Sequence, residues 1–116
     1  MAKVNDVIKI NDVIIDKVQR FLTKLEEEGI RVEFAYLFGS YARCTENKWS
    51  DIDVAIISSD LTDDRFKERI RLTKIAQCID SRIEPVPFRP DTFVQEDPLV
   101  WEIKRKGIFF GSRTRK

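Results

Sequence analysis

The chain contains no histidine. That absence removes the Ser-His-Asp and Cys-His triads, the usual zinc sites and all imidazole acid–base chemistry. Cysteine is scarce as well: Cys44 and Cys78 stand far apart and form no CxxC pattern. Two free thiols in a reducing compartment are expected from this usage. No apolar run approaches the ~20 residues that a membrane span needs, and the N-terminus lacks a secretory apolar core and cleavage site. We therefore expect a soluble, cytoplasmic protein with no membrane partner. A strong charge of one sign is also missing. Lys and Arg number 21 against 20 Asp and Glu, a net charge of +1. Dedicated duplex-binding modules carry a large basic excess, so sequence-specific nucleic-acid binding is not expected. A small phosphate ligand held by a few local groups remains compatible with this balance.

What is present suits one domain over residues 1–116. The apolar fraction of 42% is enough for a core, and the length leaves no room for two domains. Repeats, low-complexity tracts and Pro/Gly linkers are all lacking. Over residues 11–28, Ile14, Val18, Phe21, Leu22 and Leu25 recur at helical spacing, with Gly29 as a C-cap. Residues 1–10 are ambiguous and can extend this helix. Residues 32–38 and 52–57 read as strands apolar on both faces, and such strands are usually covered on both sides. Gly39-Ser40 breaks the first, and a short helix can begin at Tyr41-Ala42-Arg43. After a turn over 58–64, residues 66–79 predict a second long helix, with Leu72, Ile75, Ala76 and Ile79 on one face. Cys78 is read as a small buried filler within it.

Residues 82–88 predict a third strand. Pro85 and Pro87 remove ladder donors and place at least part of it at a sheet edge. Residues 91–96 suggest a helical turn. Asp97 and Pro98 look like the cap and first position of a helix over 99–106, ended by Gly107. The tail over 112–116 is basic and expected to fray. The order predicts an α/β (α+β) domain, a small mixed β-sheet with helices packed on it.

Chemistry concentrates at "LFGSYARCTENKWSDIDVAII", residues 37–57. In a strand, residues i and i+2 share a face, so Asp51 and Asp53 would project together while Ile52 turns to the core. Two adjacent carboxylates repel unless something positive lies between them. All-oxygen ligation without histidine or thiolate favours magnesium or manganese. An isolated Asp-x-Asp also serves as a cap or a rim. The apolar run that follows weighs against this, because acids at the mouth of a buried strand cost desolvation. Gly39-Ser40 offers a complement. Glycine permits close ligand approach, a helix starting at Ser40 would aim free N–H groups at an anion, and Arg43 can reach a phosphate or an acid. By itself the pair is also an ordinary turn.

Gly39-Ser40, ten residues, then Asp51-Ile52-Asp53 between apolar strands resembles the signature of the DNA polymerase beta superfamily of nucleotidyltransferases. The wider string Gly39-Ser40-Tyr41-Ala42-Arg43 with Ser50-Asp51-Ile52-Asp53-Val54 is similar to the minimal nucleotidyltransferases of bacteria and archaea, over about residues 32–88. One departure is Cys44, where that family commonly has glycine; it removes no ligand. The resemblance implies the polymerase beta-like fold and a third carboxylate on a neighbouring strand, by position Glu84. It also implies that Asp51, Asp53 and Glu84 are catalytic and hold two Mg2+ ions, with Mn2+ as a substitute. Gly39, Ser40 and Arg43 would bind the phosphates of ATP. Short members resemble antitoxins that adenylylate a HEPN-domain toxin, so a hetero-oligomer with such a partner is implied. The alternative is the same fold kept as a non-catalytic module that binds and neutralises its partner. Tyr41 can stack on a base or pack on the scaffold, Trp49 can shield the site or cover the core, and the basic C-terminal end reads mainly as solvated surface.

Overall fold

A computed structural model of the chain describes residues 2–39 and 51–111. The elements run α1 (Ala2–Glu27), β1 (Phe34–Phe38), β2 (Ile52–Ile57), α2 (Arg65–Ala76), β3 (Ile83–Phe88), α3 (Pro98–Lys106) and β4 (Ile108–Phe110). No helix among the described residues is long and apolar enough to cross a membrane.

The ambiguous first residues do extend the first helix. Its apolar stripe, Ile14, Val18, Phe21, Leu22 and Leu25, is buried throughout. The helix stops where Gly29 takes φ of 90° and the Ile30 N–H reaches back to the Leu25 carbonyl at 2.9 Å. That closure calls for a left-handed residue, and glycine adopts the conformation without a Cβ penalty.

The strands form one mixed sheet in the order β3-β2-β1-β4. β1 pairs antiparallel with β2 and with β4, and β2 pairs parallel with β3. Side-chain alternation divides the core in two. Ala35, Leu37, Ile52, Val54, Ile56 and Ile83 face α1 and α2. Phe34, Tyr36, Ala55, Ile57, Val86 and Phe88 face the other way, toward Val100 and Ile103 of α3 and toward Phe93. The central strands are thus covered on both sides, as their unbroken apolar runs require.

β3 is an edge strand, as its prolines predict. The Arg82 and Phe88 carbonyls accept from the Ile52 and Ser58 N–H groups. Residues 84, 86 and 88 therefore turn their backbone groups toward β2, and Ile83, Pro85 and Pro87 turn theirs outward. Both prolines occupy positions whose donor would have pointed away from the sheet, so no ladder bond is lost.

Two buried or half-buried acids fix the ends of β2 and β3. Asp80, just before β3, accepts from Lys17 Nζ at 2.6 Å and from the Arg82 backbone and guanidinium at 2.8–3.2 Å. This ties α1 to the start of β3. Glu68, only 3% exposed, accepts from the Thr62 N–H and hydroxyl at 2.8 and 2.7 Å and from Arg71 at 3.0 Å. It pins the loop after β2 onto α2.

Several expectations need adjustment. β1 begins at Phe34, although Glu33 N–H still bonds Ile57. The second helix is Arg65–Ala76, capped by the Asp64 carboxylate on the Lys67 N–H. Cys78 is not a buried filler: it follows the end of α2 in a turn and is exposed, because helical periodicity no longer applies past Gln77. Residues 91–96, expected as a helical turn, lie in hydrogen-bonded turns that bury Phe93 against the sheet. The Asp97 cap and Pro98 start of α3 are as expected, with Gly107 closing it. β4, three residues pairing with β1, was not anticipated.

Candidate active site

Asp53 is the second residue of β2 and Glu84 the second of β3, and the parallel register sets them directly opposite one another. Their neighbours Ile52 and Ile83 are also paired, and both are buried in the core under α1 and α2. Alternation therefore turns Asp53 and Glu84 together to the α3 side. Both are half-buried, while Asp51, one residue before β2, is exposed.

Gly39 completes this corner. It follows β1, whose last residue Phe38 pairs with Asp53, and it takes φ of 77°. A Cβ built on Gly39 would overlap Asp53 Oδ2 and lie 3.2 Å from its Cγ. Two requirements thus coincide at one position: a left-handed backbone and the close passage of a carboxylate. Ser40 and Arg43, expected to bind phosphate, lie outside the described residues, as do Tyr41, Cys44 and Trp49.

Beside this corner opens a cleft of about 510 Å³, lined by Phe38, Gly39, Asp53, Pro98, Leu99, Glu102 and Lys106. Its size falls within the range of small-molecule sites, roughly 300–1,000 Å³. α3 forms its far wall, aligned by the Asp97 cap, whose carboxylate accepts from Leu99 N–H at 2.9 Å. Lys106 reaches Glu102 at 3.6 Å one turn away. In the sequence Lys106 reads only as part of the basic C-terminal end, mainly solvated surface; Glu102 was missed, because its helical spacing reads as ordinary surface.

A second missed residue touches the site directly. Arg69 of α2 donates to Glu84 Oε1 at 3.4 Å, with both side chains about half exposed. Among the described residues no three carboxylate, thiol or imidazole groups stand where one metal ion could take all of them. The expected ligand triad is therefore brought together in part. Asp53 and Glu84 share a face and a register, and Glu84 is engaged by Arg69. The donor set itself, all oxygen, suits a hard divalent cation, and no side chain at Gly39 intrudes on the Asp53 carboxylate.

Resolved electrostatic shifts belong to the frame of the site. Hydrogen bonding from the Arg82 side chain holds the Asp80 carboxyl well below the usual carboxylate range; burial opposes this and Lys17 adds to it. For Glu68, burial pushes the carboxyl up, but the Thr62 and Arg71 hydrogen bonds outweigh it and leave it lowered. Both groups are anions that the fold stabilises through specific donors.

Known proteins resemble the chain in sequence and in fold. Residues 16–116 match the family described as Polymerase beta, Nucleotidyltransferase. Over 85 residues, 72% of the chain, the sequence is 33% identical to the protein adenylyltransferase MntA of Shewanella oneidensis. The chain spans 60% of the length of that curated relative. A structure from Sulfolobus solfataricus assigned to the nucleotidyltransferases superimposes with a TM-score of 0.67 at 16% identity, covering 94% of this chain and 89% of that one. That likeness is one of fold. A toxin–antitoxin complex solved with AMP-PNP contains a chain that is 27% identical, with a TM-score of 0.61 over 84% of this chain and 73% of that one. The match over residues 16–116, most of its length, makes the chain a member of the polymerase beta nucleotidyltransferase family.

Proposed function

We propose that the protein transfers AMP from ATP to a hydroxyl on a partner protein, a HEPN-domain toxin, and so acts as an antitoxin. The observation that carries this reading is the register pairing of Asp53 with Glu84, where Asp53 and Gly39 line a cleft of about 510 Å³. The relatives support the substrate and partner classes: one is named a protein adenylyltransferase, and another was solved in a toxin–antitoxin complex with an adenine nucleotide.

In this reading Asp51, Asp53 and Glu84 hold magnesium or manganese. Such ions, when bound, neutralise phosphate charge and favour ionisation of the acceptor hydroxyl. Gly39, Ser40 and Arg43 take the triphosphate. Glu84 accepts the proton of the acceptor hydroxyl, whose oxygen forms the new bond to the α-phosphorus. The bond from that phosphorus to the bridging oxygen breaks, and pyrophosphate leaves with the electron pair. Gly39 leaves room for the Asp53 carboxylate, and α3 walls the cleft on one side.

Incubation of the protein with α-labelled ATP, magnesium and extract of its native cells tests this. A labelled protein band that disappears with Asp53→Asn is the expected result. Equal labelling by Asp53→Asn and wild type would overturn the catalytic assignment.

A second reading has one specific observation in its favour. With Glu84 engaged by Arg69, the described carboxylates do not form a three-ligand set. A module that neutralises its partner by binding alone needs no such set. It predicts toxin neutralisation without label and without sensitivity to Asp53→Asn.

A further inference from the structure

We propose that Arg69 is a positioning residue for Glu84: it draws the carboxylate to the outer edge of β3, and a divalent cation at Asp53 has to compete with it for that ligand. The inference rests on the assignment of Asp53 and Glu84 as metal ligands given above.

Opposed residues on neighbouring strands have backbones about 5 Å apart. Two carboxylates facing the same way at that separation repel each other. One of them gains by turning away, provided that a cation is within reach. Glu84 has that opportunity, because it stands on β3, the edge of the sheet.

The cation comes from an unexpected direction. α2 packs Leu72 and Ala76 on the opposite face of the sheet from Asp53 and Glu84. Arg69 therefore has to cross the edge of β3 to meet Glu84 Oε1 at 3.4 Å. Arg65, one turn earlier, crosses the same edge and lies 5.0 Å from the centre of the Phe88 ring. The two arginines drape over the edge strand side by side, one resting on an aromatic face and the other on the acid.

The strength of the Arg69 contact suits exchange. It uses one carboxylate oxygen, and its partners are 52% and 42% exposed. Ion pairs of that exposure bias an equilibrium by a factor of about 1.5–5. A divalent cation can displace so weak a partner. This accounts for Glu84 standing in register with Asp53 and yet, among the described residues, outside any three-ligand group.

The test is Mn2+ binding to the full chain without nucleotide, followed by calorimetry or by the free-ion electron spin resonance signal. Arg69→Gln should bind Mn2+ about 2–5-fold more tightly than wild type. Arg65→Gln removes the same charge one turn away and should bind as wild type does. In a Glu84→Gln background, Arg69→Gln should give no gain. Arg69→Lys, which restores a cation in the same place, should fall between wild type and Arg69→Gln. Equal affinity of Arg69→Gln and wild type, an equal gain from Arg65→Gln, or a gain that persists with Glu84→Gln would each overturn the proposal while leaving the transfer reaction standing. Unchanged Mn2+ affinity in Asp53→Asn would remove the ligand assignment, and this proposal with it.

Discussion

Gly39 passes so close to the Asp53 carboxylate that no side chain fits between them. The position is also left-handed, at φ of 77°. Gly39→Ala should cost about 1–2 kcal/mol in backbone strain alone, plus whatever displacement of Asp53 the new methyl group forces. Transfer should be lost with it. Gly29→Ala is the internal comparison: φ there is 90°, but nothing lies within 4 Å of the added Cβ. That variant should show the strain in its urea midpoint and keep its transfer activity.

Asp51→Asn and Asp53→Asn preserve side-chain shape and remove the charge. We expect each to lower AMP transfer by about a hundredfold or more, since metal-borne stabilisation is worth several kcal/mol. Thermal midpoints should stay close to wild type. Asp51 is exposed, and Asp53 is half-buried at the rim of the cleft.

Glu84→Gln separates chemistry from binding. If Glu84 takes the acceptor proton, its loss should slow single-turnover transfer by about 10²–10⁴-fold. ATP affinity should change little, because both aspartates remain. A matching loss of affinity and rate would assign Glu84 to nucleotide binding instead.

Asp80 predicts a pH dependence of stability. Its carboxyl is held below the ordinary value by Arg82, with burial opposing and Lys17 assisting. A depressed folded-state value means that its contribution is complete above the unfolded aspartate value of about 3.9 and is lost as pH falls below it. Asp80→Asn should therefore cost about 1.5–3 kcal/mol at pH 7, and the gap from wild type should narrow steadily below about pH 4. Urea unfolding of both proteins at several pH values measures this directly.

Long periodic segments were legible in the sequence because burial repeats along them. The stripe from Ile14 to Leu25 marked the first helix, and the unbroken run after Asp51 marked β2 at its observed bounds. Pro85 and Pro87 disclosed an edge strand because proline deletes a donor wherever it stands. Asp97-Pro98 disclosed a helix start for a similarly local reason. β4 was not legible: three residues carry no period, and its strand character comes from pairing with β1. The Arg69 contact was hidden because it crosses from one face of the sheet to the other, which no spacing along α2 encodes. The pairing of Asp53 with Glu84 was anticipated as adjacency, but the register itself is a product of tertiary packing. Cys78 was misread because a helix assumed to run three residues too far carries its buried face with it.

The outward row of β3 offers a neighbouring chain few donors, since two of its three outward positions, Ile83, Pro85 and Pro87, are prolines. A strand arriving from another molecule could not be zipped onto this margin, so the corner that carries Glu84 is shielded from ribbon-like self-association. Any assembly across this margin must be held by side chains. Replacing both prolines with valine would reopen the row and should favour cross-β growth during expression and storage. The same pair that breaks the strand pattern in the sequence thus protects the colloidal behaviour of the protein at this margin.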